Sequence, residues 1–245
     1  MKKILILGSA LLVFNLSEAQ VFIIGGKGIV NGCRLVNKNT INRNILNADD
    51  KIDYDFTWGF AGGAYLRYYF NEATYYSTTN VSLCVEALYN GYGQKYSGNK
   101  FAGDTLVSTS NQRYRIKSLD IPVMIHARGQ AGLYGELGVS FGMISGVTGD
   151  FSQDPANADN PNFSGKSVSE SFTSSNLSGI FGFGIDSELS EKVNFTAGMR
   201  LTYGLTDLTE PQKTLNPQGY TETHSASIGI VIGFGYILNF YHDYH

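Results

Sequence analysis

The stretch VNFTAGMRLTYGLTDL, residues 193–208, decides the fold class. Its odd-numbered residues from Val193 to Leu205 are apolar or aromatic, whereas its even-numbered residues are small or polar and include Arg200. A period of two predicts a β-strand with one apolar face. The solvated face of a soluble sheet would carry many Lys and Glu residues, but the polar face here holds mostly Gly and Thr. The pattern therefore predicts a strand whose apolar face meets lipid and whose Arg200 points into a narrow barrel.

The same alternation recurs along the whole chain, in segments of about 10 to 16 residues, which is longer than the usual 5 or 6 residues of a soluble strand. Seven further segments carry it: 21–32, 58–70, 81–92, 119–128, 132–143, 177–189 and 225–240. The segments predict an all-β fold, an eight-stranded antiparallel up-and-down transmembrane β-barrel.

The lengths of the links between these strands support that prediction. The links cover residues 34–56, 71–79, 95–112, 129–130, 149–175, 190–191 and 207–222, and they alternate between long and short. Outer-membrane barrels have long extracellular loops and short periplasmic turns. We therefore expect four surface loops and two periplasmic chain termini.

The N-terminal segment MKKILILGSALLVFNLSEAQ has the pattern of an export signal. Two lysines precede an apolar run from Ile4 to Leu16, and small residues precede a cut after Ala19. We predict a signal peptide over residues 1–19 and a barrel domain over residues 20–245, placed in the outer membrane by the barrel-assembly machinery. An N-terminal anchor helix is the alternative. The net charge of −3 gives no reason to expect a nucleic-acid partner.

Five charged residues on the polar faces fall at similar depth in the predicted barrel: Lys27, Arg67, Glu86, Glu136 and Arg200. Four others lie on the same faces: Asp120, Arg128, Asp186 and Glu188. Buried charges must pair. An eight-stranded barrel is just wide enough for side chains to fill its interior. The five therefore predict a structural charge cluster that closes the lumen, with a gated ion path as the alternative.

Aromatic residues stand at both ends of the apolar face of the segment 58–70. Trp58 and Phe60 lie at one end, and Tyr68 and Phe70 lie at the other. Transmembrane barrels carry aromatic girdles at both interfaces with water. We predict that these four residues belong to the two girdles and contact outer-membrane lipid.

The two cysteines, Cys33 and Cys84, point inward by parity, but they lie near opposite ends of strands that are not neighbours. A disulfide needs Cα atoms within about 7 Å. We predict two free thiols.

Residues with catalytic or metal-binding chemistry are sparse. His224 and Ser225, with Glu222 or Asp207 as the acid, could form a hydrolase triad only if they converge in space. His242, Asp243 and His245 could bind a metal ion, although a solvated tail explains them as well. We predict no enzymatic activity, no cofactor and no metal site.

Several segments together resemble the PorT-like family of small outer-membrane β-barrels. They are GAYLRYYF (63–70), VSLCVEALYNGYGQK (81–95), LDIPVMIHA (119–127), LYGELGVSFG (133–142) and GMRLTYGLTDL (198–208). The resemblance implies an eight-stranded, porin-like cell-surface barrel and no defined activity. A namesake member serves a protein-secretion apparatus. One departure is that Phe240 is followed by YHDYH, because such barrels usually end on an aromatic residue.

These observations leave three functional hypotheses. The first is a scaffold whose four surface loops bind a ligand or partner. The second is an accessory component of a protein-secretion apparatus. The third is a soluble lipocalin-like binder, which would need an apolar cavity.

Overall fold

The computed structural model describes residues 20–37, 50–70, 79–102, 105–156, 161–209 and 222–240. Ten strands and one short 3₁₀ helix, Ser169–Ser171, run through them. The strands are β1 (Gln20–Asn37), β2 (Asp50–Asp55), β3 (Thr57–Tyr69), β4 (Thr79–Ala102), β5 (Thr105–Gly129), β6 (Leu133–Asp154), β7 (Phe163–Ser167), β8 (Ser175–Ser190), β9 (Val193–Gly204) and β10 (Thr223–Phe240). Within these ranges, no helix is both long and apolar enough to cross a membrane.

Eight of the strands form a closed ring in which every neighbouring pair is antiparallel. The ring runs β1-β3-β4-β5-β6-β8-β9-β10, and the β4–β5 pairing completes it. The β1–β10 ladder extends from the pair Gln20 and Phe240 to the pair Asn37 and Thr223. This arrangement confirms the predicted eight-stranded up-and-down barrel. We call the end that holds Gln20 and Phe240 the terminal end, and the opposite end the loop end.

The predicted alternation between the two faces is also confirmed. Exposed apolar side chains cover the outer face of the ring, with Ile230 at 62% and Leu137 at 66% exposure as examples. Inward positions are buried, and glycines make room for large side chains there. A Cβ atom on Gly235 would lie 2.3 Å from the Tyr65 hydroxyl oxygen, so only glycine allows this ring to cross the lumen.

The turn between β5 and β6 at the terminal end is short, as the link lengths predict. Residues 130–132 connect the strands, and the amide of Gly132 donates to the carbonyl of Gly129 at 3.0 Å. Gly132 has φ of +76°, a left-handed conformation that glycine adopts without steric cost. The turn between β8 and β9 is equally tight, with only residues 191–192 between the strands.

The loop end differs from the prediction, because much of what was expected to be loop is strand. The link 95–112 is part of a hairpin in which β4 and β5 continue to Ala102 and Thr105. β2 lies inside the predicted link 34–56, and β7 lies inside 149–175. β7 and the tip of the β4–β5 hairpin have polar residues at most positions on both faces, so the period of two that marks a strand is lost there. β2 keeps that period at Ile52 and Tyr54 but is only six residues long.

This extension of the sheet beyond the ring forms one continuous surface. β2 pairs with β4 from Asp50 to Asp55, and β6 follows β5 as far as Asp154. We call this surface the crown; it consists of residues 50–55, 93–102, 105–117, 146–154 and 163–167.

Candidate functional site

The polar side chains inside the ring form one connected group near its centre. Each of its members is at least nine-tenths buried. We call this group the interior charge cluster; its members are Lys27, Arg67, Glu86, His126, Glu136, Asp186 and Arg200. Three cations and three carboxylates balance within it without any contribution from His126.

Arg200 is the centre of the interior charge cluster. Its Nη1 lies 2.7 Å from Glu86 Oε2, and its Nη2 lies 2.7 Å from Glu136 Oε1. Its Nε also donates to Glu136 Oε1 at 2.8 Å. The guanidinium therefore bridges β4 and β6 across the lumen, and its planar fork of donors suits two carboxylates at once. Lys27 on β1 also donates to Glu86.

The cluster continues toward the terminal end through His126. The Nε2 atom of His126 lies 3.0 Å from Asp186 Oδ2, and its Nδ1 lies 3.8 Å from Glu136 Oε2. Arg67 forms an ion pair with Asp186, which also accepts a hydrogen bond from Asn194. The chain of contacts thus connects β1, β3, β4, β5, β6, β8 and β9 across the barrel.

The structure buries all five charged residues that were predicted inside the barrel. It brings Lys27, Glu86, Glu136 and Arg200 into direct contact, whereas Arg67 contacts Asp186 instead of any of these four. Asp186 was recognised as inward-facing but was not placed among the five. His126 was missed because it is counted as neutral, although its parity with Asp120 and Arg128 on the segment 119–128 marked it as inward-facing.

The remaining inward charges lie on either side of the cluster. Arg128 pairs with Glu188 at 2.7 Å near the terminal end, where half of the Glu188 side chain is exposed. Asp120 lies toward the loop end and accepts a hydrogen bond from Asn90 at 2.7 Å. Neither pair contacts the interior charge cluster through an ion pair in the described part of the chain.

A small polar cavity lies on the loop side of Arg200. Its volume is about 50 Å³, and Asn31, Asn90, Asp120, Asn176 and Ser178 line it. A cavity needs roughly 10–15 Å³ per water molecule, and ligand pockets are usually 300 Å³ or more. The cavity therefore suits a few water molecules and is too small for an organic ligand.

An apolar layer closes the lumen above this cavity, although the alternation predicts a polar interior. Its residues are Leu35, Ile116, Val147, Phe172 and Leu208, all less than one-tenth exposed, and we call them the apolar lid. Phe172 and Leu208 come from the connections outside the ring. Backbone hydrogen bonds hold these connections together, from Thr173 to the carbonyl of Leu208 and from Leu208 to the carbonyl of Thr223, both at 2.9 Å.

The four predicted girdle residues of the segment 58–70 stand on the outer face, whereas Tyr65 and Tyr69 of β3 face inward. Trp58 and Phe60 are exposed near the loop end. Near the terminal end, the ring of Tyr68 lies 5.0 Å from that of Phe22 and 5.5 Å from that of Phe70. The four predicted girdle residues therefore fall at the two ends of one strand.

The candidate triad is not assembled. His224 stacks on exposed Tyr203 on the outer face, at 5.8 Å between the rings, whereas Ser225 faces inward and lines the polar cavity. Glu222 lies 3.7 Å from His224, with most of its side chain exposed. Asp207 instead accepts hydrogen bonds from Thr209 and Thr223.

Cys33 and Cys84 are both buried free thiols, as predicted. Over the described ranges, no group of three or more His, Cys, Asp and Glu residues is arranged to hold a metal ion. The predictions for residues 1–19, His242, Asp243 and His245 lie outside the described residues.

The Asp150 carboxylate connects strands of the crown through hydrogen bonds and an ion pair. Its Oδ1 accepts hydrogen bonds from the amide of Gly165 at 2.8 Å and from the Ser164 hydroxyl at 3.1 Å, and its Oδ2 lies 2.6 Å from Arg115 Nη2. The hydrogen bond from the Gly165 amide holds the pKa of the Asp150 carboxyl below its ordinary value. Asp150 thereby joins β5, β6 and β7.

Solved structures of other barrels resemble this one. The outer membrane protein OprG from Pseudomonas aeruginosa is 15% identical, with 90% of this chain and 96% of that chain covered and a TM-score of 0.30. Neisserial surface protein A is 9% identical, with 86% and 95% covered and a TM-score of 0.39. Ail from Yersinia pestis is 14% identical, with 90% and 99% covered and a TM-score of 0.32. At these scores the similarities carry no functional argument.

A search of curated proteins found no significant match. The family model described as "Outer membrane protein beta-barrel domain" matches residues 19–210, which is most of the chain. The match is to this broad family, and the PorT-like resemblance stays a prediction. The chain belongs to the outer membrane protein β-barrel domain family.

Proposed function

We propose that this outer-membrane barrel is a closed scaffold that displays the crown as a binding surface on the cell exterior. The observation that carries the proposal is the contrast between lumen and crown. Side chains fill the lumen at two levels, the interior charge cluster and the apolar lid, while three ring strands, β4, β5 and β6, continue past the ring and pair there with β2 and β7. A channel would need an open lumen instead.

The placement in the membrane follows from the same proposal. Residues 1–19 direct export, the assembly machinery inserts the barrel, and both termini lie in the periplasm. The exposed apolar outer face contacts lipid, with Trp58 and Phe60 in the outer girdle and Tyr68 and Phe70 in the inner one. This orientation is supported by the tight turns at the terminal end and the crown at the other.

Site-directed labelling tests the orientation. Val107→Cys places a thiol on the exposed tip of the β4–β5 hairpin, and Gln130→Cys is the matched variant in the β5–β6 turn. The native thiols are buried. On intact cells, a membrane-impermeant maleimide should label Val107→Cys and leave Gln130→Cys unlabelled until the outer membrane is permeabilised. The opposite pattern would refute the orientation.

A conductance measurement tests whether the lumen is closed. The purified barrel in a planar lipid bilayer should give no discrete conductance steps at neutral pH. Regular steps in the wild-type protein would favour the gated ion path instead.

Gel mobility tests the membrane barrel itself. The detergent-purified protein should migrate differently before and after boiling, because a transmembrane barrel keeps its fold in detergent. A protein that stays soluble without detergent and shows no change in mobility would favour the lipocalin-like binder.

The accessory role in secretion stays the second candidate, because the PorT-like segments suggest it. Gentle solubilisation of the membrane followed by co-purification distinguishes the secretion accessory from the independent scaffold. A stable complex with secretion components favours the accessory, and a barrel that purifies alone favours the independent scaffold.

A further inference from the structure

The outer surface where the crown joins the ring carries four cations on two neighbouring strands. Lys95 lies on β4, and Arg113, Arg115 and Lys117 lie on β5. All four side chains are exposed and point away from the lumen. We call them the basic stripe. The chain as a whole is acidic, so this concentration of positive charge is local.

The register of the sheet places the basic stripe directly beyond the lipid-facing surface. Tyr89, Leu119 and Met143 pair across β4, β5 and β6 and form the last exposed apolar row. The next row toward the loop end contains Lys117. Two residues of a strand span about 7 Å, so this ammonium lies at the depth of lipid headgroups.

Space for a headgroup is present beside Lys117. Its cross-strand neighbours are Gly91 on β4 and Gly146 on β6. A Cβ atom on Gly146 would meet no atom within 4 Å, and one on Gly91 would meet only a backbone oxygen at 3.8 Å. The surface on both sides of this lysine is therefore open to solvent or to a lipid.

The charges of the stripe are incompletely compensated within the protein. Lys95 lies 3.5 Å from Asp55, and Arg115 pairs with Asp150. Arg113 and Lys117 form no ion pair with any residue that the structure describes, although Arg113 stands opposite Asp150 in the β5–β6 ladder. Lys95 and Arg113 also stand directly opposite each other in the β4–β5 ladder. Like charges in that position destabilise a sheet, and the two neighbouring carboxylates, Asp55 and Asp150, balance only two of the four positive charges.

We propose that the basic stripe binds the phosphate groups of a phosphorylated lipid in the leaflet at the loop end. Lys117 contacts the phosphate nearest the hydrocarbon, and Arg115, Arg113 and Lys95 receive negative charge further out. Arginine binds phosphate through two donors and lysine as a point charge. The inference rests on the proposed placement of the barrel in lipid. It adds a ligand on the outer surface of the protein.

The test uses the full barrel in a neutral maltoside detergent and a fluorescent phosphatidic acid as the probe. Arg113→Gln with Lys117→Gln removes two charges from the stripe. Lys166→Gln with Lys192→Gln is the matched control, because it removes two exposed lysines that lie elsewhere. Each cation near an anionic lipid surface contributes a factor of about five in binding. The stripe variant should therefore bind about 25-fold more weakly, and the control should stay within about twofold of wild type.

Two further binding measurements distinguish a phosphorylated lipid from an uncharged lipid and from free phosphate. Diacylglycerol without phosphate should bind poorly, and inorganic phosphate at the same concentration as the lipid should not displace the probe. Equal binding by the two double variants, or by diacylglycerol and phosphatidic acid, would overturn the proposal. Displacement by equimolar inorganic phosphate would assign the stripe to free anions and would also overturn it.

Added salt supplies a measurement on the wild-type protein alone. Binding should weaken as salt rises from 10 to 500 mM, since the contacts are exposed, and salt-independent binding would contradict the proposal. The mobility shift on boiling is recorded for each variant. A lost shift would mean a failed barrel, whereas a normal shift without lipid binding would count against the basic stripe alone.

Discussion

The interior charge cluster and the apolar lid both close the lumen, the first through ion pairs and the second through apolar side chains. The interior charge cluster is built from side chains within ring strands, whereas the apolar lid takes Phe172 and Leu208 from connections outside the ring. Residues in the ring are held by ladders on both sides. Residues in connections are held by a few backbone hydrogen bonds. The difference indicates that the cluster is a permanent part of the barrel and that the lid is the closure that opens more easily.

The largest expected effect comes from removing the centre of the cluster. Arg200→Ala leaves Glu86 and Glu136 buried without their main partner. Breaking a buried ion pair in this way costs about 3–5 kcal/mol. In the gel-mobility assay, we expect the temperature at which the folded form is lost in detergent to fall by about 10 °C or more.

Arg113→Ala is the control for that experiment, because it truncates an exposed arginine without an ion pair among the described residues. Its midpoint should stay close to that of wild type. A midpoint for Arg200→Ala equal to that of Arg113→Ala would show that the cluster does not stabilise the barrel.

The second effect concerns the lid and uses the native thiols as reporters. Cys33 lines the polar cavity beneath the lid, whereas Cys84 lies at the level of the cluster, opposite Arg67 and 3.8 Å from Glu86 Oε1. Leu208→Ala should destabilise the closed lid by about 2 kcal/mol or more. Since 1.4 kcal/mol is a factor of ten, Cys33 should react with a small thiol reagent about tenfold faster or more.

Leu205→Ala is the matched control, because Leu205 is an exposed leucine of the same segment. It should leave the Cys33 rate unchanged, and Cys84 should keep its slow rate in both variants. An equal acceleration of both thiols would mean that the whole barrel loosens, and the comparison between the two closures would then fail.

A smaller effect is expected from a substitution that crowds the interior charge cluster. A Cβ atom on Gly182 would lie 2.6 Å from Glu136 Oε1. Gly182→Ala should therefore push this carboxylate away from Arg200 and lower the thermal midpoint, with a cost of about 1–3 kcal/mol. Gly28→Ala is the control, because nothing lies within 4 Å of its new Cβ atom. Equal midpoints for the two variants would refute the proposed crowding.

The smallest effect concerns the crown, outside both closures. The pKa of Asp150 is lowered in the fold, so its contribution is present above the ordinary value of 3.8 and is lost as pH falls through the folded pKa. The amide resonance of Gly165 should keep its position down to about pH 4 and move at lower pH. Asp150→Asn should move it at neutral pH, whereas the exposed control Asp154→Asn should not. A resonance that does not change with pH would contradict the role of Asp150.

The ring could be predicted from the sequence because lipid on one side and a narrow lumen on the other impose a period of two. The burial of Arg200 and Glu136 followed from this parity. Parity does not predict which residues pair with each other, because the depth of a residue in the barrel also depends on the stagger between strands. Arg67 therefore pairs with Asp186 and not with Glu86 or Glu136.

The crown and the lid could not be predicted in this way. The sequence at the tip of the β4–β5 hairpin is polar at most odd and even positions, so it resembles that of a loop, and β2 is too short to stand out. Phe172 and Leu208 are single apolar residues in polar connections, and nothing in a periodic pattern indicates that they fold back over the lumen.

The ladder between β1 and β10 limits how early in folding the ring can close. It joins the first and last strands, so the most distant parts of the described chain must meet before the ring closes. Contacts between residues far apart in sequence form slowly. Until then β1 and β10 each carry an unpaired edge, whose backbone groups lipid cannot satisfy. We therefore expect ring closure to be coupled to membrane insertion, and we expect a chain that ends before β10 to insert poorly.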